Sequence, residues 1–152
     1  MPSASSKPIE RRPIHRNRLC RPGKPRWSST IPATLARPLR EEAGIEVINA
    51  ADGVVQLQVT PDLRNPAGTL QGAMVALLAE AAAEDLMATR FASPMVVTEL
   101  DLRYLRKAQI GPVRTRTQLL GTGPDAPIQV EVIDTSTDQI TTLAYARAAP
   151  VS

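Results

Sequence analysis

A long apolar segment in the middle of the chain most constrains the fold. From Leu70 or Gly72 to about Arg90, apolar residues occupy nearly every position and charged residues are few. A helix that is apolar all round is buried on most of its sides. Alanine recurs along the segment and keeps it thin, so other elements can approach closely. The segment therefore predicts one long central helix.

Strands are predicted on both sides of this helix. Residues 45–60 are typical of a β-hairpin with a turn at Asp52-Gly53, and Pro61 ends its second strand. After the helix, four segments of alternating polarity follow: residues 95–105, 113–121, 128–134 and 140–148. In the first of them, one face is predicted to carry Val96, Thr98, Leu100, Leu102 and Tyr104. Consecutive strands joined by short turns favour antiparallel pairing. We predict an α+β fold in which a curved antiparallel sheet of about six strands wraps around one long central helix.

The N-terminal part of the chain differs in composition from the rest. Residues 1–40 hold ten Lys/Arg and one acid, a net charge of +9, whereas residues 41–152 hold eight Lys/Arg and fourteen acids, a net charge of −6. Residues 1–30 are rich in Pro, Ser and Arg without apolar periodicity, which predicts a disordered basic tail. Nucleic-acid binding by this tail, with Trp27 as a stacking group, is an alternative that we do not favour. The folded domain is predicted to span residues 31–152 and to open with a short helix at residues 31–42.

Cysteine and histidine usage excludes several classes of site. Cys20 is the single cysteine, so the chain has no internal disulfide and fits a reducing, cytoplasmic location. His15 is the single histidine and lies in the tail, which argues against histidine-based catalysis and histidine-ligated metal in the domain. Because the chain contains no run of about 18 apolar residues, no membrane span is predicted.

The start of the predicted helix carries the most informative motif. It reads Asn65-x-x-Gly68-x-x-Gln71-Gly72-Ala73, and Glu80 follows nine residues after Gln71. This motif resembles that of hotdog-fold thioesterases of the phenylacetate-pathway and 4-hydroxybenzoyl-CoA types. Those enzymes carry Asn-x-x-Gly-x-x-His-Gly-Gly, with an Asp or Glu nine residues after the histidine. The resemblance covers about residues 35–149 and departs from the family at two positions, where Gln71 replaces histidine and Ala73 replaces the second glycine.

The motif suggests how a thioester could be hydrolysed. The N–H groups at a helix N-terminus have no intrahelical partner and lie at its positive end. We expect the Gly72 N–H to polarise the thioester carbonyl and Glu80 to act as nucleophile or general base. Glu84, one turn later, is the rival carboxylate. Alternatively, Glu80 is simply a carboxylate that emerges at the helix surface.

The remaining motif residues have both structural and functional interpretations. Asn65 is either an ordinary turn residue or, as the resemblance implies, a residue that orders the site. Gln71 either hydrogen-bonds locally or donates its amide to the thioester oxygen. Gly68 most simply permits a turn, and Ala73 lies within the helix beside the substrate. Strand-end cations are expected either to be solvated or to bind the phosphates of coenzyme A: Arg103, Arg106 and Lys107.

Helix geometry predicts a shared site. Gly72 and Glu80 are eight residues apart, which is about 12 Å along a helix axis. One thioester cannot readily contact both, so each site should take Gly72 from one subunit and Glu80 from another. The resemblance likewise implies homodimers with sites at the interface, often associated into tetramers.

These observations predict an acyl-CoA thioesterase that needs no metal and no cofactor apart from the coenzyme A of its substrate. A catalytically weak hotdog protein that binds acyl-CoA as a sensor or partner is the alternative, because Gln71 cannot titrate. Hydratase chemistry is disfavoured, since it relies on a histidine paired with an acid.

Overall fold

The computed structural model describes residues 37–151. The predicted tail and the first part of the predicted short helix, residues 31–36, lie outside the described residues. Helix α1 spans Leu39–Glu42 directly after Pro38, and Gly44 follows it with a left-handed backbone. This arrangement agrees with the tolerance of proline at helix starts and of glycine after helix ends. The domain boundary near residue 31 stays a prediction.

Six strands form one antiparallel sheet. Their bounds are β1 Glu46–Asn49, β2 Val54–Leu57, β3 Met95–Tyr104, β4 Val113–Leu119, β5 Ile128–Asp134 and β6 Gln139–Pro150. Their order across the sheet is β1-β2-β4-β5-β6-β3, so β1 and β3 are the edges. The predicted six-stranded antiparallel sheet is confirmed, although β2 ends three residues earlier and β6 runs two residues further than the sequence indicates.

The central helix is confirmed as predicted. Helix α2 spans Gly72–Phe91 and contacts every strand from β2 to β6. The residue after the helix, Ala92, adopts the left-handed conformation that glycine often takes at this position. The buried side chains of α2 are Val75, Leu78, Ala79, Ala81, Ala82, Ala83, Leu86 and Met87. The alanines therefore do what the sequence predicts and allow the sheet to approach the helix closely.

The hairpin of β1 and β2 packs tightly on α2. Its turn is a 3-10 segment, Ala50–Asp52, followed by Gly53 at φ 60°, and thus differs from a two-residue turn. A Cβ atom at Gly53 would lie 2.7 Å from the Ala82 carbonyl oxygen. Glycine is required here both by its backbone conformation and by the contact with the helix.

Strand β3 contains a bulge that changes which residues face the helix. Val97 and Glu99 pair with successive residues of β6, so Thr98 is an extra residue. Val97 and Leu100 both pack against the core, while Val96 is exposed. The prediction that Val96 and Thr98 share a face with Leu100 is therefore wrong at this end of the strand.

In the part of the chain that the structure describes, no helix combines the length and apolarity needed to cross a membrane.

Candidate active site

Asn65 organises the loop that leads into α2. Its Oδ1 accepts hydrogen bonds from the N–H groups of Ala67 at 3.0 Å and Thr69 at 3.2 Å, and its Nδ2 donates to Thr69 Oγ1 at 2.8 Å. Its carbonyl accepts from the N–H of Gly68, whose φ is 74°. This is an Asx-type turn, so Asn65 and Gly68 both have the turn role that the sequence allowed. Asn65 also lines a pocket beside the start of α2.

Gln71 connects the same loop to the helix. Its N–H donates to the Leu63 carbonyl at 2.9 Å, and its Nε2 lies 3.4 Å from the Arg64 carbonyl oxygen. Gln71 is the residue before the first helical residue but makes no side-chain cap. Its side chain therefore takes the local, loop-fixing position, and Gln71 does not line the pocket.

The first turn of α2 presents free backbone donors. Met74 and Val75 N–H groups donate to the Gln71 carbonyl. Within residues 37–151, the N–H groups of Gly72 and Ala73 have no protein acceptor. Both residues are exposed. The helix start can therefore offer two N–H groups to an oxygen atom, in the way that oxyanion sites do.

Tyr104 fixes the other side of this helix start. Its hydroxyl donates to the Gly72 carbonyl oxygen at 3.0 Å, although 57% of the residue is exposed. A Cβ atom at position 72 would lie 3.0 Å from that hydroxyl oxygen. A side chain at this position would therefore press on Tyr104. Gly72 thus permits the end of β3 to approach the helix start.

A pocket of about 430 Å³ opens between the helix start, the sheet and two loops. The first loop and α2 contribute Asn65, Thr69, Leu70, Gly72 and Val75. The end of β3, the loop after it and β6 contribute Tyr104, Leu105, Arg106, Lys107, Ala108, Thr141 and Thr142. The walls are mixed, with aliphatic side chains, hydroxyl groups and two cations. Its volume lies in the lower part of the roughly 300–1,000 Å³ range of small-molecule sites.

Asp134 holds the loop that brings two cations to this pocket. Its carboxylate is buried and accepts hydrogen bonds from the N–H groups of Gln109, Ile110 and Gly111. It also accepts from the N–H and hydroxyl of Ser136. Burial acts to raise the pKa of Asp134, but the bonds from Ser136 and the loop amides outweigh it and lower that pKa below its ordinary value. Asp134 therefore stays ionised and anchors the loop.

The two predicted carboxylates lie further along α2. Glu80 and Glu84 are half-buried, and neither lines the pocket beside Gly72. Among the described residues, the Glu80 carboxylate has no hydrogen-bond or ion-pair partner, whereas Glu84 Oε1 accepts from the Val97 N–H at 3.1 Å. Burial raises the pKa of Glu84 above its ordinary value; the Val97 bond opposes this, and the charge of Glu80 adds to it. Glu84 thus accepts a hydrogen bond at the bulge of β3, whereas the Glu80 carboxylate makes no such bond within the described residues.

The three predicted cations do not lie together. Arg106 and Lys107 line the pocket and are exposed. Arg103 lies on the outer part of β3, where it pairs with Asp101, and it does not line the pocket. The structure therefore brings Arg106 and Lys107 to the helix start and leaves Arg103 outside this group. Ala73 is exposed next to Gly72 but also lies outside the pocket.

Sequence reasoning missed three residues at this site. Tyr104 was predicted only as a strand residue, although its place just before the cations was a usable signal. The local bonds of Asp134 to Ser136 predict only a turn, and its contacts with the loop amides at residues 109–111 come from a distant segment. Thr142 had no local signal, because its neighbours lie on other strands.

The fold can be compared with solved structures. The Escherichia coli PaaI protein from the phenylacetic acid degradation operon is similar at a TM-score of 0.66 with 17% identity, over 77% of this chain and 86% of that chain. A thioesterase enzyme from Staphylococcus aureus, solved as a mutant, is similar at a TM-score of 0.66 with 20% identity, over 73% of this chain and 96% of that chain. A Bacillus halodurans protein solved with CoA is similar at a TM-score of 0.62 with 17% identity, over 76% of this chain and 78% of that chain. Neither a family model nor a curated protein matches the sequence.

These likenesses show that the chain has the hotdog fold of thioesterase-superfamily structures. At such identities the likenesses establish the fold, whereas the activity depends on the residues of this chain.

Proposed function

We propose that this protein is an acyl-CoA thioesterase, which hydrolyses an acyl-CoA to the free acid and coenzyme A. The observation that carries the proposal is the open helix start. Gly72 lines a pocket together with Arg106 and Lys107, and the N–H groups of Gly72 and its neighbour Ala73 have no partner among residues 37–151. These groups match the two features of the substrate, a carbonyl that becomes negatively charged during hydrolysis and a phosphorylated leaving group.

In the proposed reaction, the thioester carbonyl oxygen accepts a hydrogen bond from the Gly72 N–H. Glu80 then either attacks the carbonyl carbon to form an anhydride, which water hydrolyses, or removes a proton from an attacking water. In both routes the C–S bond breaks, the thiolate of coenzyme A leaves and takes up a proton, and water supplies the new acid oxygen.

The site is proposed to form between two copies of the chain. Glu80 lies about 12 Å along α2 from Gly72 and outside the pocket that Gly72 lines. A Glu80 from a second copy can reach a thioester held by Gly72 of the first. The ten-residue strand β3 is an edge of the sheet and offers unpaired backbone groups that a second copy can pair with.

Gln71 favours a second candidate, an acyl-CoA-binding protein with weak or no activity. Its side-chain amide cannot act as a general acid or base near neutral pH, and it lies near the Arg64 carbonyl oxygen. Such a protein would use the same helix start and cations for binding.

Release of free thiol from short, long and aryl acyl-CoAs distinguishes the two functions. We expect Glu80→Gln to lower kcat by at least about 100-fold, because general-base contributions are typically of this size or larger. Glu84→Gln is the matched control, with the same change one turn along the helix, and is expected to retain most activity. If no acyl-CoA is hydrolysed but one binds in calorimetry, the binding protein is supported. If Glu80→Gln keeps full activity, the assignment of Glu80 is wrong.

A further inference from the structure

Thr142 lies at the inner wall of the pocket. It is in β6, opposite Tyr104 of β3 and Val132 of β5, and only 1% of it is exposed. Ala144, two residues along the same face of β6, packs in the core beneath α2. Thr142 therefore belongs to the face of the sheet that is turned toward the helix.

The hydroxyl groups around the pocket differ in their hydrogen bonding. Thr141 donates its hydroxyl to the Val132 carbonyl at 3.0 Å, and Thr69 Oγ1 accepts from Asn65. The Thr142 hydroxyl, in contrast, makes no hydrogen bond to any residue from 37 to 151, although the backbone of Thr142 is paired within the sheet. Every fully enclosed side-chain polar atom in the described part of the chain has a partner. The Thr142 hydroxyl is therefore not fully enclosed, and it opens to the pocket that Thr142 lines.

Burying such a hydroxyl costs free energy unless a ligand supplies its hydrogen-bond partner. A buried polar group normally has a hydrogen-bond partner, and a threonine hydroxyl can both donate and accept. The walls of the same pocket include Leu70, Val75 and Ala108, which suit a short hydrocarbon chain. A free hydroxyl among aliphatic walls suits a short acyl chain that carries an oxygen atom.

We propose that the pocket beside Gly72 receives the acyl group of the substrate, and that Thr142 selects a short acyl chain bearing a hydroxyl or oxo oxygen. This inference rests on the proposed thioesterase function. With the thioester carbonyl at the helix start, the chain extends toward β6, and its oxygen meets the Thr142 hydroxyl. An unsubstituted chain leaves that hydroxyl without a partner. Discrimination of this kind is strong when a site is built to bind a hydroxyl group.

The test compares kcat/KM for butyryl-CoA, 3-hydroxybutyryl-CoA and acetoacetyl-CoA. We expect the wild-type protein to favour at least one oxygenated substrate over butyryl-CoA by about tenfold or more. The two oxygenated substrates distinguish a hydroxyl from an oxo group. Thr142→Val should lower the ratio of oxygenated to unsubstituted kcat/KM by about tenfold, whereas Thr142→Ser, which keeps the hydroxyl, should retain the ratio.

A wild-type preference for butyryl-CoA, or an equal loss on all three substrates in Thr142→Val, would overturn the inference. If Thr142→Val does not fold, the wild-type ratio and Thr142→Ser decide. If no substrate is hydrolysed, the proposed function fails by itself. The selectivity is then measured as calorimetric binding of thioether analogues of the same acyl groups, and equal affinity for them refutes the role of Thr142.

Discussion

Replacing Asp134 by asparagine should both destabilise the domain and loosen the loop that carries the pocket cations. One carboxylate oxygen accepts from the N–H groups of Gln109 and Ile110, and the other from Gly111 and Ser136. Asparagine keeps one acceptor oxygen and turns the other into a donor. The substitution therefore leaves at least two backbone N–H groups facing another donor.

The size of the effect follows from these contacts. Each of the two N–H groups that lose their acceptor costs about 1 kcal/mol, because the loop is partly exposed and water can compensate in part. The remaining bonds lose their charge-assisted strength, so the total is about 2–3 kcal/mol. For a domain of this size, that corresponds to a fall in Tm of roughly 6–15 °C.

The loss should depend on pH in a defined direction. Because the folded-state pKa of Asp134 is lowered, its stabilisation is complete above the ordinary carboxyl pKa of about 4 and is lost as pH falls through the lower folded value. The Tm of the wild-type protein should therefore exceed that of Asp134→Asn by a large margin at pH 7 and by a smaller margin at pH 3. Asp138→Asn, an exposed site in the same turn, is the matched control. A Tm difference below about 2 °C at pH 7 would refute the anchoring role.

Further predictions concern the helix start, the rival carboxylate and the cations. Gly72→Ala should lower kcat/KM, because the added Cβ would press on the Tyr104 hydroxyl 3.0 Å away. The double variant with Tyr104→Phe, which lacks this hydroxyl, should recover part of the lost kcat/KM. If it recovers none, the contact is not the cause of the loss. Since burial raises the pKa of Glu84, the wild-type protein should lose stability relative to Glu84→Gln as pH rises above about 4. Denaturant titrations at several pH values measure this difference in the free energy of unfolding, and a difference that does not change with pH would contradict the prediction. Replacing Arg106 and Lys107 by alanine should raise the KM for acyl-CoA, most strongly at low salt, and an unchanged KM there would exclude phosphate binding.

The main elements were predictable because their signals are local. Apolar residues at nearly every position of α2, with a proline soon after it, placed the helix to within about two residues of Gly72–Phe91. The turn role of Asn65 also follows from its own segment, since its hydrogen bonds stay within four residues. Residues that act within one turn or one strand can be found from their neighbours in the sequence.

The features that escaped prediction depend on tertiary contacts. The bulge at Thr98 exposes the Val97 N–H to Glu84, thirteen residues earlier, and alternation alone does not reveal it. Asp134 contacts amides that lie 23 to 25 positions before it. Thr142 has the sequence context of any strand threonine, and only the pocket gives it a distinct role.

Activity rescue between two inactive variants tests the shared site most directly. Gly72→Pro removes the proposed N–H donor at the first helical position, whose backbone geometry suits proline and where Gln71 already has a compatible extended backbone. Its ring presses on Tyr104, as any side chain at this position does. Gly72→Ala, which adds a Cβ but keeps the N–H, is its control. The second variant is Glu80→Gln.

The two variants are given different affinity tags, mixed, unfolded and refolded together. If each site combines Gly72 of one copy with Glu80 of the other, half of the dimers are mixed and each mixed dimer has one intact site, so the mixture regains about a quarter of wild-type activity. Purified mixed dimers should regain about half. Mixed dimers that carry both tags and remain inactive would contradict the shared site.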